Sequence, residues 1–539
     1  MCDNMNKNSA ILIGLDGLGT DEVGEWLEDG VLDTLSRISN DGNKSVLDST
    51  IPPWTPCAWP SLLSGRNPGS HGIFDFFTPT GYEKNLIDRT SVDAPYLFET
   101  ADEAEQTHLV INYPVTHPAP ELENGAVVPG YLAAEDVEFS PPEIRSEYEN
   151  EHGKYQIYPS YGTEEDPIKE YTRVARHRRD MARFLDERYE WDLLAVQFQV
   201  TDSIFHGLDD RDQIREVLEN VDEFVGDIVD LGDDDTDVFI ASDHGMGDYE
   251  WTFYANSWLA ENGYCETTTG EAQYFRQMKD ELKGVDNNGS TGVTAAVGTV
   301  TSALSAVGLS PRRIHSGLGA VGLDKTIERL LPEDALVAAQ NQVVDHGNSV
   351  AYQLLFNSLG IHLNVEGREP NGQVSPEEYD DVRQELINEL SQVRDPDGDL
   401  VFDEVLPRER VYQGPHLEDA PDIVLVPRDY QYDVSGSIVD TFRRYPHKNH
   451  KPEGILISNR DLDVDPETGA SIYDIAPTVA AALGLPVDSE TDGEVLGPFE
   501  ADERIDWDEL AGEYREISDS ESGPTDDVED RLADLGYME

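Results

Sequence analysis

Apolar residues in this chain fall into short unbroken runs separated by polar, helix-patterned stretches. Ala10 to Leu15, Leu193 to Phe198 and Asp237 to Ala241 are the clearest, with shorter runs at Leu109 to Ile111, Ile423 to Val426 and Gly454 to Ile457. Such runs suit strands buried on both faces, as in a parallel sheet. Between them, apolar residues recur at helical spacing over 174–189, 212–231, 376–393 and 472–483. Strands alternating with helices predict an α/β fold: a mostly parallel central sheet with helices on both faces and insertions over the C-terminal strand edge.

Three acidic residues share one position in this pattern. Asp16, Asp202 and Asp243 each follow an apolar strand within a few residues. Sites in open α/β sheets form beyond the carboxyl ends of the strands, so the three would converge in space. Any one alone could begin a loop or cap a helix. Histidines accompany two of them. His206 lies four residues after Asp202, on the same side of a helical turn. His244 follows Asp243 directly, with Gly245 next, and adjacent ligands need a special turn that Gly permits. His450, just before the 454–457 strand, is a further ligand candidate, with nearby His447 its rival. Carboxylate and imidazole donors together suit Zn, Mn or Fe.

Thr55 is the nucleophile candidate. Pro56 suits a first helical position and Thr55 an N-cap, with Gly65 ending a short helix. A hydroxyl there sits at the positive end of the helix, where backbone N–H groups can hold a phosphate. A metal on its oxygen would lower its pKa and make it a nucleophile. The bland role of such a residue, plain helix capping, is the commoner one.

Composition narrows the function classes. The 539 residues carry 110 acidic and 38 basic side chains, a net charge of −72 spread along the whole chain. Charge of this size self-repels at low salt, and screening at molar salt relieves it. The balance resembles that of proteins from salt-in halophiles and argues against nonspecific nucleic-acid or anionic-membrane binding. Three cysteines (Cys2, Cys57, Cys265) form neither a disulfide framework nor a zinc-finger spacing. With no signal-peptide pattern before the first strand and no run of 18 apolar residues, the expectation is a cytoplasmic protein. The stretch 77–167 reads as core strands plus an elaboration that roofs the site. Residues 284–322, rich in Gly, Ser and Ala, read as an insertion with a helix near 294–309, and 500–539 as an acidic tail. The expected organisation is one catalytic domain over 1–499 followed by that tail.

Together these segments resemble the alkaline phosphatase superfamily, and within it the type I phosphodiesterase/nucleotide pyrophosphatase group, from Ile11 to about Leu496. The Thr55 to Gly65 segment with His71-Gly72-Ile73 is similar to that group's nucleophile segment, and Asp243-His244-Gly245 to its metal motif. The 364–370 and 420–422 segments resemble microbial members, and 473–478 with 483–486 the shared C-terminal element. The resemblance implies an alkaline-phosphatase-like α/β/α sandwich and two divalent ions, zinc being usual and manganese or iron found elsewhere. Asp202, His206 and His450 would hold one ion; Asp16, Asp243 and His244 the other, which also binds Thr55. Thr55 would form a phospho-threonine that water hydrolyses. The implied substrate is a small phosphodiester or pyrophosphate. A phosphotransferase or mutase, a sulfatase and a phosphomonoesterase are the alternatives, and a noncatalytic binding protein that keeps the fold is the reading from another class.

The sequence also departs from the group. Where the group often has an Asn that contacts a phosphate oxygen, this chain has Ala58, leaving its backbone and Arg66 as substrate-contact candidates. Arg66, just past the helix end, reads first as a surface or structural residue. His71 reads as structural and Cys57 as a small buried residue. Oligomeric state stays open.

The charge balance generates a first prediction. Thermal unfolding of the purified protein should shift to higher temperature as KCl is raised from millimolar to molar, as followed by circular dichroism. A midpoint that falls or stays flat would remove charge repulsion as a constraint on this fold.

Overall fold

The structure is a computed structural model, and it describes residues 8–120, 122–159, 166–269, 342–355, 358–466, 468–501 and 503–506. The expected 284–322 insertion, with its helix, and nearly all of the acidic tail lie outside these residues.

The predicted apolar runs form the middle of an eight-stranded sheet. In spatial order its strands are Ala470–Ser471, Asn43–Asp48, Glu453–Ser458, Asp237–Ala241, Ala10–Leu15, Leu193–Phe198, His108–Ile111 and Gly125–Val128. Ala10–Leu15 pairs in parallel with both Leu193–Phe198 and Asp237–Ala241, and every residue of Ala10–Leu15 is buried. Burial on both faces is why these strands read as continuous apolar runs rather than as alternating ones. Glu453–Ser458 runs antiparallel to both of its neighbours. The sheet is therefore mostly parallel, as expected, with one reversed strand near one side.

Helices Pro167–Asp186 and Arg211–Val229 pack on each other, and Pro167–Asp186 also packs on the Leu193–Phe198 and His108–Ile111 strands. Helices Thr55–Ser64 and Ile475–Ala482 form a second group, with Ile475–Ala482 against the Ala10–Leu15 and Asp237–Ala241 strands. Gly14 fixes how closely Thr55–Ser64 can approach. A Cβ on Gly14 would lie 2.6 Å from the Trp59 ring, so only glycine admits that fully buried indole.

Two smaller sheets lie beside the core. The Ile423–Pro427 strand, expected among the alternating α/β strands, belongs instead to a separate antiparallel sheet ordered Ala351–Tyr352, Gly360–Leu363, Ile423–Pro427, Phe402–Pro407. Its apolar run is the same; burial on both faces does not reveal which sheet a strand joins. The other sheet has three strands, Tyr432–Ser435, Gly245–Tyr254 and Phe442–Lys451, with Gly245–Tyr254 in the middle. Within 77–167, His108–Ile111 and Gly125–Val128 are core strands, while the Phe77–Thr80 and Glu83–Leu86 hairpin is an addition whose Tyr82 stacks on His346.

An ion pair joins the two segments that look like microbial members. Arg368 donates to both Asp422 oxygens, at 2.8 and 2.7 Å, and Tyr379 Oη and the Leu363 N–H donate to the same carboxylate. Arg408 Nη1 stands 3.3 Å from it. Burial would raise the fully buried Asp422 carboxyl, but Arg368 overrides it and holds the group below the usual carboxylate range. Asp422→Ala takes the shared acceptor from Arg368, Tyr379 and the Leu363 N–H, while Arg408 keeps Glu418, and should cost about 3 kcal/mol of stability by chemical denaturation. Because the folded-state pKa is depressed, the wild-type contribution should be complete above the unfolded value near 4 and vanish as pH falls through the folded value. Equal stability of wild type and Asp422→Ala at neutral pH would refute this.

Candidate active site

The strand ends bring the expected side chains together. Asp16 follows Ala10–Leu15, Asp202 and His206 sit on the short helix Val200–Gly207 after Leu193–Phe198, and Asp243 and His244 follow Asp237–Ala241. His450 arrives by a different route. It lies inside the Phe442–Lys451 strand, whose antiparallel register sets it opposite Met246 and Lys451 opposite Gly245. That pairing stacks the His450 and His244 rings, with centroids 3.8 Å apart and planes within 19°.

Gly245 serves this approach in a way the sequence does not show. Its φ is not in the left-handed region; instead, a Cβ there would lie 2.2 Å from the Glu453 carbonyl oxygen. Close backbone passage, rather than a special turn, requires glycine.

The side chains form two groups whose facing oxygen and nitrogen atoms lie within 4.8 Å of one another. Asp16, Asp243 and His244 make one; Asp202, His206 and His450 make the other. In the first, His244 Nε2 is 3.6 Å from Asp16 Oδ1 and 3.3 Å from Asp243 Oδ2. In the second, Asp202 Oδ1 is 3.2 Å from His206 Nε2 and 3.4 Å from His450 Nε2, and the two Nε2 atoms are 3.2 Å apart. Thr55 Oγ1 belongs with the first group, 3.4 Å from His244 Nε2 and 3.5 Å from Asp16 Oδ1.

Four of the six ligand candidates are held from behind. Trp59 Nε1 and Gln197 Nε2 donate to Asp16 Oδ2 at 3.0 and 2.7 Å, and the Gly17 N–H donates to Asp243 Oδ1 at 3.1 Å. His244 Nδ1 faces the Gly245 carbonyl at 3.0 Å, and His450 Nδ1 faces the Pro53 carbonyl at 3.2 Å. A carbonyl only accepts, so each Nδ1 donates to its carbonyl and each ring turns its Nε2 inward. The sequence reading missed these supports. Gln197 had a visible signal, being the one amide in an apolar strand; the Trp59 role and the carbonyls had none.

This donor set fits a cation. Asp202 Oδ1 and Asp243 Oδ2 are buried and accept no hydrogen bond among the described residues. The Asp16 and Asp243 oxygens of the first group are less than 4.8 Å apart, where two negative charges repel by about 3.5 kcal/mol at an effective dielectric of 20. Burial pushes the Asp16 carboxyl well up, and Asp243 and Asp202 push it further. Burial likewise raises Asp243, with Asp202 adding to the rise. Burial opposes ionisation of Asp202 too, but His206 and His450 pull it well below the usual range. Burial, then His244, lowers His450 to about 3. Carboxylates with exposed lone pairs beside bare imidazole nitrogens are a ligand set for a divalent ion such as zinc, manganese or iron.

Other expected residues stand elsewhere or act differently. Trp54, not Thr55, is the N-cap; Thr55 is the first residue of the Thr55–Ser64 helix and Pro56 the second. The helix does end at Gly65, in the left-handed region at φ 71°. The N–H groups of Cys57 and Ala58 both bond the Trp54 carbonyl at 2.9 Å, so the Ala58 backbone is not a free donor for substrate. Arg66 is buried and bonded through Nε and Nη2 to Asp488, a structural pair. His71 is fully buried against Ser61 Oγ at 2.8 Å, and burial holds it down to about 3. His447 pairs with Asp433 at 3.2 Å and is not in either ligand group. Cys57 is a buried free thiol whose pKa burial raises.

Asp243→Asn keeps an amide oxygen for the Gly17 N–H but removes the charge. After dialysis into buffer with limiting zinc, metal analysis should find one ion per chain fewer than in wild type. Unchanged occupancy would count against the Asp16, Asp243 and His244 group as a metal site.

Comparison with known proteins supplies the family. No curated protein matches the sequence. Among solved structures, phosphonoacetate hydrolase from Sinorhizobium meliloti, in complex with phosphonoformate, is similar at 16% identity and a TM-score of 0.55, covering 88% of this chain and 96% of that one. Murine ectonucleotide pyrophosphatase/phosphodiesterase 5 aligns at 13% identity and a TM-score of 0.44, over 90% and 97%. The first likeness bears on fold alone, and it agrees with the mostly parallel sheet described above. Among the described residues no helix is long and apolar enough to cross a membrane. The model of the type I phosphodiesterase/nucleotide pyrophosphatase family matches residues 10–312, a span that holds every ligand candidate but His450, and the chain belongs to that family.

Proposed function

We propose that this chain hydrolyses phosphodiester or pyrophosphate bonds through a phospho-threonine at Thr55, with two divalent ions bound by the two ligand groups. The observation that carries the reading is the position of Thr55 Oγ1, 3.4 Å from His244 Nε2 and 3.5 Å from Asp16 Oδ1, at the start of a ten-residue helix. When bound, the ions supply positive charge for the attacking and leaving oxygens and for the phosphoryl group between them.

The chain's own groups do the rest. Thr55 is fixed by its place as first helical residue, and the helix dipole favours negative charge on its oxygen. Its proton is released to solvent as Oγ1 bonds phosphorus and the bond to the leaving oxygen breaks. Water then attacks the phospho-threonine; its hydroxyl stays on phosphorus and Thr55 regains a proton. The net reaction adds one water across one ester bond. Gly245 and Pro53, through their carbonyls, keep His244 and His450 in the tautomer with Nε2 inward.

Position 55 separates this reading from a sulfatase, whose nucleophile derives from Cys or Ser, and Cys57, two residues on, is in neither ligand group. Arg66, the cationic side chain expected as a substrate contact, is engaged by Asp488. That favours a diester over a monoester, since a dianionic terminal phosphate calls for a further cation.

The test is turnover of bis-aryl phosphate, aryl phosphate, a dinucleotide pyrophosphate and phosphonoacetate in molar KCl with zinc or manganese. Thr55→Ala should lower turnover at least about a thousandfold while metal content stays at the wild-type level. Acid-quenched wild type should carry phosphate on the Thr55–Ser64 segment by mass spectrometry. Activity that survives Thr55→Ala would remove Thr55 as nucleophile.

A further inference from the structure

The wall of the site continues into a cavity that the hydrolytic groups do not explain. It encloses about 1300 Å³ between helices Thr20–Glu28 and Val200–Gly207 and the three-stranded sheet. His206, its side chain 19% exposed, is the one ligand candidate in that wall.

In-line displacement decides which part of a substrate lies there. Thr55 stands on the Asp16, Asp243 and His244 side. Attacking and leaving oxygens take opposite sides of phosphorus. The leaving oxygen therefore faces Asp202, His206 and His450, and beyond His206 is the cavity. The leaving alcohol enters it.

The walls describe that alcohol. Six of the 27 lining residues are Phe, Tyr or Trp; Trp26, Tyr171, Phe205 and Tyr249 are buried behind the wall, and Tyr445 and the half-buried Tyr254 are the rings open to the cavity. The exposed large apolar side chains among the described residues, Val439 at 55% and Tyr445 at 59%, both stand in this wall. An aromatic side chain open to a pocket offers a face for stacking. Carboxylates stand at about their share in the chain, and six line the cavity against three cationic side chains, Arg211, Arg443 and Lys448. Two of those cations have acidic partners: Arg211 with Glu25 at 2.9 Å and Lys448 with Asp248 at 3.4 Å. A leaving group bearing its own phosphate meets repulsion there.

The geometry points to a leaving group that is an alcohol with a flat aromatic or apolar face and no phosphate of its own, so that the enzyme prefers phosphodiesters to pyrophosphates. This rests on the Thr55 reading above.

The experiment uses 2-naphthyl methyl phosphate, a methyl phosphate diester of a small acidic fluoroalcohol, and a dinucleotide pyrophosphate. Binding of 2-naphthol to the full-length protein, followed by fluorescence, is a second readout. Tyr445 and Val439 are exposed, so Tyr445→Ala and Val439→Ser leave the core alone. Tyr445→Ala should lower kcat/KM for the naphthyl ester about five- to tenfold and weaken naphthol binding similarly, with the fluoroalkyl ester unchanged. The pyrophosphate should be the poorest substrate of wild type. Equal effects on both diesters, no effect of either variant, or preference for the pyrophosphate would overturn the inference. Naphthol binding that weakens in Tyr445→Ala, in a protein that hydrolyses none of the three, would support the cavity assignment and sink the phosphohydrolase reading instead.

Discussion

The arrangement of the site follows from carboxylates buried at the carboxyl ends of parallel strands. Asp16, Asp202 and Asp243 are each at most 5% exposed. Left alone, such groups escape the cost of a buried charge by taking up protons, and burial pushes Asp16 and Asp243 in that direction. Hydrogen bonds to their second oxygens oppose that rise without cancelling it. Trp59, Gln197 and the Gly17 N–H all donate to them, which favours the ionised form. Negative charge is thus held on one side of each carboxylate and left unpartnered on the other. A pair of divalent cations is the neutralising group this geometry fits.

The rest of the architecture serves that concentration of charge. The parallel sheet delivers three acids to one edge from strands far apart in sequence. His450 cannot come from a parallel strand end, because its strand runs antiparallel to Gly245–Tyr254. Pairing the strand that leaves His244 with the strand that carries His450 makes the two rings neighbours, and the Gly245 backbone passes close to Glu453 to allow it. Helix Thr55–Ser64 approaches the sheet because Gly14 lacks a side chain, and the indole that fills the space holds Asp16. One packing contact thereby sets both the nucleophile candidate and a ligand candidate.

Much of this was legible in the sequence, for a physical reason. Continuous apolar runs mark doubly buried strands, and Ala10–Leu15, Leu193–Phe198 and Asp237–Ala241 have the predicted bounds. An acid just beyond such a run is close to a statement about position in space. What failed depended on backbone detail. Thr55 has a side chain able to cap, yet the extended residue is Trp54, whose carbonyl takes the Cys57 and Ala58 N–H groups. Gly245 was expected for its turn and is needed for its missing Cβ. Ile423–Pro427 has a core-strand run but joins another sheet, since burial carries no partner information. Arg66 and Asp488 are 422 residues apart, and nothing local announces the pair.

Charge raises a last question, which the cavity answers. A chain of net charge −72 attracts divalent cations and repels an anionic ester. If the chain works in molar salt, as its charge balance leads one to expect, the Debye length is about 3 Å, neither effect reaches far and electrostatic steering of substrate is lost. Affinity must then come from contacts that salt does not screen. Stacking and apolar burial meet that condition, and apolar association strengthens in solutions of strongly excluded salts. On the reading proposed above, the exposed Tyr445 and Val439 beside His206 would supply such contacts for a substrate that the surface charge disfavours, and cations bound by the two ligand groups would act over the last few ångströms.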